Sequence, residues 1–197
     1  MKKMKMKINE IFYSLQGEGY FSGNPAIFIR LSGCNLQCNF CDTNHKNFIE
    51  LSNEEIYNLI KNYPCKHIVF TGGEPSLQIN FNIIDFFKKK DYFIQIETNG
   101  TRELPTNIDW ITCSPKDLFC SNTKLILDKI DELKVIFDGK NDISKYLEIK
   151  ASYYYLQPCD VYNLDLNLEI LKKCIDYILK NPKWRLSLQS QKILNIK

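Results

Sequence analysis

Short apolar runs alternate along this chain with stretches in which apolar residues recur every three or four positions. Runs at Ile8–Leu15, Ala26–Leu31, His67–Phe70, Tyr92–Glu97, Trp110–Cys113, Leu133–Phe137, Tyr153–Gln157 and Trp184–Gln189 are rich in β-branched and aromatic residues and predict strands. Between them, Ser52-Asn53-Glu54-Glu55 forms a capping box, in which hydroxyl and carboxylate satisfy each other's backbone N–H groups. It opens a helix with Ile56, Leu59 and Ile60 on one face. Ile83–Lys90 predicts a helix whose closing lysines suit the negative end of its dipole. Leu168–Lys180, capped by Asn167, carries Leu171, Ile175 and Ile178 at helical spacing and stops before Pro182; Ser121–Ile130 predicts a shorter helix. Such alternation implies β/α units and an α/β fold built on a mainly parallel sheet. About six units fall short of the eight that close a barrel, so a partial, open barrel is expected. No repeat, low-complexity tract or linker interrupts the pattern, and 197 residues suffice for one core but not two ordinary domains. Residues 1–197 are therefore expected to form a single domain.

Polar motifs fall at the C-terminal ends of the predicted strands: Gly72-Gly73-Glu74, Glu97-Thr98-Asn99-Gly100, Ser114-Pro115-Lys116, Asp138-Gly139, Gln157-Pro158-Cys159-Asp160 and Gln189-Ser190-Gln191. In parallel β/α architectures loops converge at that edge and ligands bind there. A shared pocket follows, with Asp138-Gly139 serving as a turn. Gly72-Gly73-Glu74 lets backbone approach a small ligand closely and offers a carboxylate to an ammonium group.

Charge narrows the partners. A net charge of +3 with scattered lysines lacks the basic stripe that duplex nucleic acid requires. No apolar run reaches the roughly 18 residues of a membrane span. The basic Met1–Lys7 start has no apolar segment behind it and does not read as a signal peptide. Three arginines (Arg30, Arg102 and Arg185) stand against 23 lysines, so each is informative. Arg30, at a strand end, offers a fork that takes a carboxylate through two parallel bonds; an arginine there serves equally as a structural ion-pair partner.

Eight cysteines with a clustered triad point to a reduced, cytoplasmic setting rather than to disulfides. Cys34, Cys38 and Cys41 have C-x3-C-x2-C spacing on a loop after a strand. Three thiolates hold three irons of a 4Fe–4S cube and leave the fourth iron open for a ligand. Zinc is the competing reading, with His45 as the near fourth ligand. Cys65, Cys113, Cys120, Cys159 and Cys174 show no C-x2-C pair and read as buried thiols acting as small hydrophobes.

The triad, with Phe40 before its third cysteine, and the Gly-Gly-Glu element resemble the radical S-adenosylmethionine (SAM) superfamily. Eight segments extend the likeness: Phe12–Gly19, Phe28–Cys34, Cys41-Asp42-Thr43, Phe70–Pro75, Glu97–Thr101, Cys113–Lys116, Glu132-Leu133-Lys134 and Leu156-Gln157-Pro158. In this order they resemble the 7-carboxy-7-deazaguanine synthase family of queuosine biosynthesis, whose members rearrange 6-carboxy-5,6,7,8-tetrahydropterin with loss of ammonia. The resemblance implies a radical SAM lyase using a 4Fe–4S cluster, SAM and Mg²⁺, a flavodoxin or ferredoxin as electron donor, and a homodimer. It assigns the cluster to Cys34, Cys38 and Cys41, and Mg²⁺ to Thr43. Leu15, Gln16, Gly17, Glu18, Arg30 and Thr98 fall to the pterin. Phe40, Asp42, Gly72, Gly73, Glu74, Gly100, Ser114, Pro115, Lys116 and Gln157 fall to SAM. No catalytic side chain is implied, since the cluster and SAM generate the radical. Relatives often carry a histidine where this chain has Gln191, and their C-terminus approaches the substrate where this chain ends Leu194-Asn195-Ile196-Lys197. A glycyl-radical-enzyme activating protein would share the triad, but has no use for Gln16-Gly17-Glu18-Gly19 and Arg30, which suit a small acidic heterocycle. A non-catalytic iron–sulfur or zinc module would have no use for an open iron or Gly-Gly-Glu.

Overall fold

Each apolar run expected to be a strand is one. The computed structural model describes residues 5–38, 41, 47–121 and 123–197. The strands are β1 (Lys5–Leu15), β2 (Pro25–Leu31), β3 (Ile49–Ser52), β4 (His67–Gly72), β5 (Phe93–Thr98), β6 (Trp110–Cys113), β7 (Glu132–Phe137), β8 (Tyr153–Pro158) and β9 (Trp184–Leu186). The helices are α1 (Asn53–Ile60), α2 (Phe81–Lys88), α3 (Leu164–Lys180) and α4 (Ser190–Leu194), with single 3-10 turns at Pro75–Leu77 and Ser144–Glu148. The described strands form one sheet in the order β3-β1-β2-β4-β5-β6-β7-β8-β9. All neighbours from β2 through β9 are parallel, while β1 runs antiparallel to both β2 and β3. The sheet does not close, as expected from the number of β/α units.

Local chemistry explains the helix boundaries. Ser52 accepts from the Glu55 N–H at 3.3 Å, and the Glu55 carboxylate accepts from the Ser52 N–H at 2.7 Å, completing the capping box of α1. Asn80 caps α2 by accepting from the Ile83 N–H at 3.1 Å. The Asn167 assignment is corrected: Asn163 caps α3, accepting from the Leu166 N–H at 3.1 Å. Asn167 instead braces the preceding loop, accepting from the Val161 N–H and donating to Asp160 Oδ1. The helix expected over Ser121–Ile130 is also corrected, because the described residues there are not helical. Ile126 donates its N–H to the Gly100 carbonyl at 3.0 Å, while Leu125 and Leu127 pack inward on either side of exposed Ile126. Leucines at i and i+2 flanking a pinned residue are an extended pattern, not a helical one.

Alternation along the parallel strands separates two environments. Ile27, Ile29, Leu31, Ile68, Phe70, Ile94 and Ile96 pack with Ile56, Ile60, Ile83, Ile84 and Phe87 of α1 and α2. Leu133, Val135, Phe137 and Leu156 pack with Cys174 of α3. The intervening residues face the concave side of the sheet. Arg30, Thr71, Glu97, Thr112, Ser114, Lys134 and Gln157 all line one cavity there.

The loop after β1 fills the far end of that concave face. Gln16 and Gly23 join its two legs, with Gln16 N–H to the Asn24 carbonyl at 2.8 Å and Gly23 N–H to the Gln16 carbonyl at 2.7 Å. At its tip, Tyr20 stacks near Trp110 and Tyr153 (centroids 4.7 and 4.5 Å), and Phe21 meets His67, Phe93 and Trp110 edge-on. His67, Phe93, Trp110 and Tyr153 are the first residues of β4, β5, β6 and β8. An aromatic stopper thus occupies the N-terminal mouth, opposite the strand ends that carry the polar motifs.

Candidate active site

Two loops at the C-terminal edge are joined backbone to backbone. Gly73 donates its N–H to the Leu31 carbonyl at 2.9 Å, and Glu74 to the Gly33 carbonyl at 2.8 Å. The glycine pair makes this approach possible: Gly72 has φ +100°, and a Cβ on Gly73 would run into the Gly33 carbonyl. This junction fixes where the cysteine loop leaves β2. Cys34, Cys38 and Cys41 line the same cavity, of about 290 Å³. The Leu36 N–H points at Cys34 Sγ (3.4 Å), and the Cys41 N–H donates to the Cys38 carbonyl (3.1 Å). Burial pushes the Cys34 thiol up, and burial with a contact from Cys120 pushes Cys38 up to about 12. A bound metal overrides such shifts by favouring the thiolate. Sulfur donors on one wall of a shared cavity suit an iron–sulfur cube, whose thiolates sit at separate corners rather than around one ion.

The other cysteines divide. Cys113 and Cys174 are buried in the core, as expected of small hydrophobes, whereas Cys159 is buried but lines the cavity. Cys65 is half-buried and ties a loop, donating to the Pro25 carbonyl at 3.0 Å. Cys120 is a correction: it is half-buried, with its Sγ 3.4 Å from Cys38 Sγ, so it adjoins the cluster loop instead of filling a core.

Glu74 is fully buried and does not itself line the cavity. It accepts from Thr98 Oγ1 and the Asn99 N–H, both at 2.7 Å, and from the Ser76 N–H at 3.0 Å. The carboxylate therefore welds the ends of β4 and β5, and the backbone around Gly72 and Gly73 is what the cavity presents. Gly100 and Pro115 are likewise buried without lining the cavity. A Cβ on Gly100 would collide with Leu125 and come within 2.6 Å of Cys113 Sγ, so a side chain does not fit there. Leu15, Gln16, Gly17, Glu18, Arg30, Gly72, Gly73, Thr98, Ser114, Lys116 and Gln157 do line the cavity. Phe40, Asp42, Thr43 and His45 lie outside the described residues.

A charged network forms the cavity floor. Lys134, in the middle of β7 and nearly buried, donates to Glu18 Oε2 at 2.5 Å and stands 3.9 Å from Glu97 Oε1. Gln189 and Gln191 both donate to Glu18 Oε1, at 3.0 and 2.9 Å. Burial alone would push the Glu18 carboxyl up, but the Lys134 ammonium and the bonds from Lys134, Gln191 and Gln189 hold it down at about 2. Glu97 accepts from Gln16 Nε2 at 3.1 Å and Thr71 Oγ1 at 2.8 Å. Lys116 donates to the Ser114 carbonyl and hydroxyl, and burial followed by the Lys134 charge lowers its pKa. On the opposite wall Arg30 lies 3.8 Å from Glu10 and above the Phe12 ring. Lys197 also contacts Glu10 and lines the cavity, so the C-terminal residue does approach the site.

The sequence places Glu97, Gln189 and Gln191 at the polar strand ends of the shared pocket but assigns no contact to them, to Lys134 or to Lys197. One signal was available: Lys134 interrupts an otherwise apolar buried strand, a place lysine occupies only with a partner.

A partial parallel barrel with a thiol triad and a glycine-lined ligand edge is a radical SAM protein, and residues 28–134 match the radical SAM superfamily. Members of this class use a 4Fe–4S cluster and SAM. Over its whole length the chain is similar to 7-carboxy-7-deazaguanine synthase of Bacteroides thetaiotaomicron, at 47% identity covering 98% of this chain and 100% of the relative. The Haemophilus influenzae protein of the same name is 37% identical, covering 96% and 93%. The crystal structure of QueE from Escherichia coli superposes with a TM-score of 0.80 at 30% identity, covering 93% of each chain. The chain belongs to the 7-carboxy-7-deazaguanine synthase family.

Proposed function

We propose that this cavity converts 6-carboxy-5,6,7,8-tetrahydropterin to 7-carboxy-7-deazaguanine with loss of ammonia, a step of queuosine biosynthesis. One observation carries the reading. The cysteine triad, the Gly72-Gly73 edge, an ionised Glu18 beside Gln16, and Arg30 all line a single cavity. A thiol triad with the glycine edge alone would fit any member of the superfamily. The acceptor-rich floor and the arginine add recognition for a flat heterocycle with N–H donors and a carboxylate.

When bound, the reduced cluster and SAM supply a hydrogen-abstracting radical. The chain's own residues bind and orient around it. Cys34, Cys38 and Cys41 hold the cluster, and the Gly72-Gly73 backbone, Ser114, Lys116 and Gln157 line the side on which SAM lies. Phe40 and Asp42 join that group by resemblance, as Thr43 does for Mg²⁺. Glu18, Gln16 and the Leu15–Gly17 backbone read the pterin's donor edge, Thr98 flanks it, and Arg30 takes the carboxylate in two parallel bonds. The aromatic stopper keeps water from the opposite mouth, which a reactive intermediate requires.

Residues 1–197 act in this reading as one domain. A flavodoxin or ferredoxin supplies the electron, and the eight free thiols suit a reducing cytoplasm. Among the described residues no helix is long and apolar enough to cross a membrane. A homodimer is supported by α3, which leaves Leu164 and Leu179 more than three-quarters exposed. The test is anaerobic incubation of the reconstituted protein with SAM, reductant, Mg²⁺ and 6-carboxytetrahydropterin, with mass detection of the deazaguanine acid. Formation of 5′-deoxyadenosine without that product would overturn the assignment.

A further inference from the structure

We propose that Lys134 is a positioning residue for substrate recognition: it holds Glu18 as an ionised acceptor with one oxygen left to read a single N–H of the ligand. The inference rests on Glu18 contacting the substrate and deepens that reading.

The geometry of the floor carries it. Glu18 Oε1 is filled by the two amide donors from the C-terminal segment, Gln189 and Gln191. Oε2 accepts from Lys134 alone among the described contacts, at 2.5 Å. A carboxylate oxygen accepts about two bonds, so Oε2 keeps one acceptor site, and Glu18 lines the cavity. Lys134 is fixed in turn, since it sits on a central parallel strand between Glu18 and Glu97. A lysine this buried has no solvent to share its charge with. Among the described residues, Glu97 on β5, Glu132 on β7 and Lys116 beyond β6 are the other titratable groups that face the pair. Burial is the largest influence on Glu18 and acts to protonate it; Lys134 is the cation that reverses this. A protonated Glu18 would present a donor to a donor and reject the ligand.

The amides show why the lysine is needed. Gln191 brings no charge at any pH. Its Nε2 is spent on Glu18, and its Oε1 is buried with no partner among the described residues. Two neutral donors orient the carboxylate, but the charge that keeps it ionised comes from β7.

The test measures binding as well as turnover. Dissociation constants for 6-carboxytetrahydropterin are measured anaerobically on cluster- and SAM-loaded protein from about pH 6 to about pH 9. Lys134→Met should weaken binding roughly 30-fold or more at neutral pH, as truncating one partner of a buried charge pair does. Affinity should recover as pH rises through the elevated Glu18 pKa. Lys134→Arg should retain the wild-type pH dependence. Glu18→Gln should bind weakly with no such recovery, and adding Lys134→Met to it should change nothing further. If Lys134→Met does not fold, Lys134→Gln, which keeps a donor without the charge, is read the same way. A Lys134→Met profile parallel to wild type, with Glu18→Gln still weak, overturns the role of Lys134 and leaves the site reading intact. Wild-type binding by Glu18→Gln overturns the substrate contact itself and the proposal with it.

Discussion

Arg30 is the residue on which substrate recognition and mere structure make the most different forecasts. Its partner in the protein is Glu10, with Nε and Oε2 3.8 Å apart and side chains 29% and 34% exposed. An ion pair that open to water contributes at most about 1 kcal/mol after screening, so a purely structural Arg30 predicts only a small change in Tm. A bidentate grip on a substrate carboxylate is another matter. Lysine keeps the charge but gives up one of two parallel bonds, and a hydrogen bond to a charged group contributes about 1.5–3 kcal/mol. Arg30→Lys should therefore raise the pterin Kd about 10- to 160-fold while Tm and uncoupled SAM cleavage stay near wild type. Anaerobic titration calorimetry gives the Kd, and the same titration with the pterin lacking its 6-carboxylate gives the control. Wild-type protein should prefer the carboxylated ligand, and Arg30→Lys should lose most of that preference. Glu10→Gln, which removes the competing carboxylate, should not weaken binding. Equal losses for both ligands, or an unchanged Kd, would refute the reasoning and return Arg30 to its ion pair.

Each of Cys34→Ala, Cys38→Ala and Cys41→Ala should lose most iron and all SAM cleavage, whereas Cys113→Ala, Cys120→Ala and Cys174→Ala should keep about four irons per chain by metal analysis. About eight irons in the wild type, or zinc as native metal, would contradict the single cube. Glu74→Gln turns an amide donor toward a backbone N–H or a hydroxyl and should lower Tm by about 2–12 °C in calorimetry; an unchanged Tm would mean that the carboxylate is not the weld between β4 and β5. Thr43→Ala should sharply reduce the Mg²⁺ stimulation of product formation while SAM cleavage persists, and wild-type values for both would remove Thr43 from the metal. Glu18 is held at about 2 against an ordinary 4.5, so its contribution to stability is present above pH 4.5 and lost as pH falls through about 2. Acid unfolding of Glu18→Gln should therefore show a shallower pH slope across that window than wild type.

The sequence disclosed what is local. Trp110–Cys113 is both the predicted and the observed β6, and the Ser52–Glu55 box caps α1 as its spacing requires. Asn167 looked like a cap because it directly precedes an apolar helical run, yet Asn163 starts the helix one turn earlier with Leu164 and Leu166 exposed. Exposed leucines carry no periodic signal of burial, so the first turn was invisible. Ser121–Ile130 failed for a long-range reason, its bond from Ile126 to Gly100. Gly-Gly-Glu was legible as a motif, but the direction of the Glu74 side chain depends on donors from β5 about twenty-five residues onward. The charged floor was hidden most deeply. Lys134 stands in an apolar run, but its partners Glu18 and Glu97 lie far away in the chain, so only the folded sheet shows what it pairs with.

The nine residues from Gln16 to Asn24 join two tasks in one piece of chain. Gln16 and Glu18 face the reactants, while Tyr20 and Phe21 cork the other end. The result is a cavity corked at the N-terminal ends of its strands, away from the cysteine loop. Remodelling Gln16–Glu18 for a different heterocycle also shifts the cork, because both hang from the same two backbone bonds at Gln16. Selectivity and dryness are thus mechanically coupled, and a change that relaxes one should leak through the other.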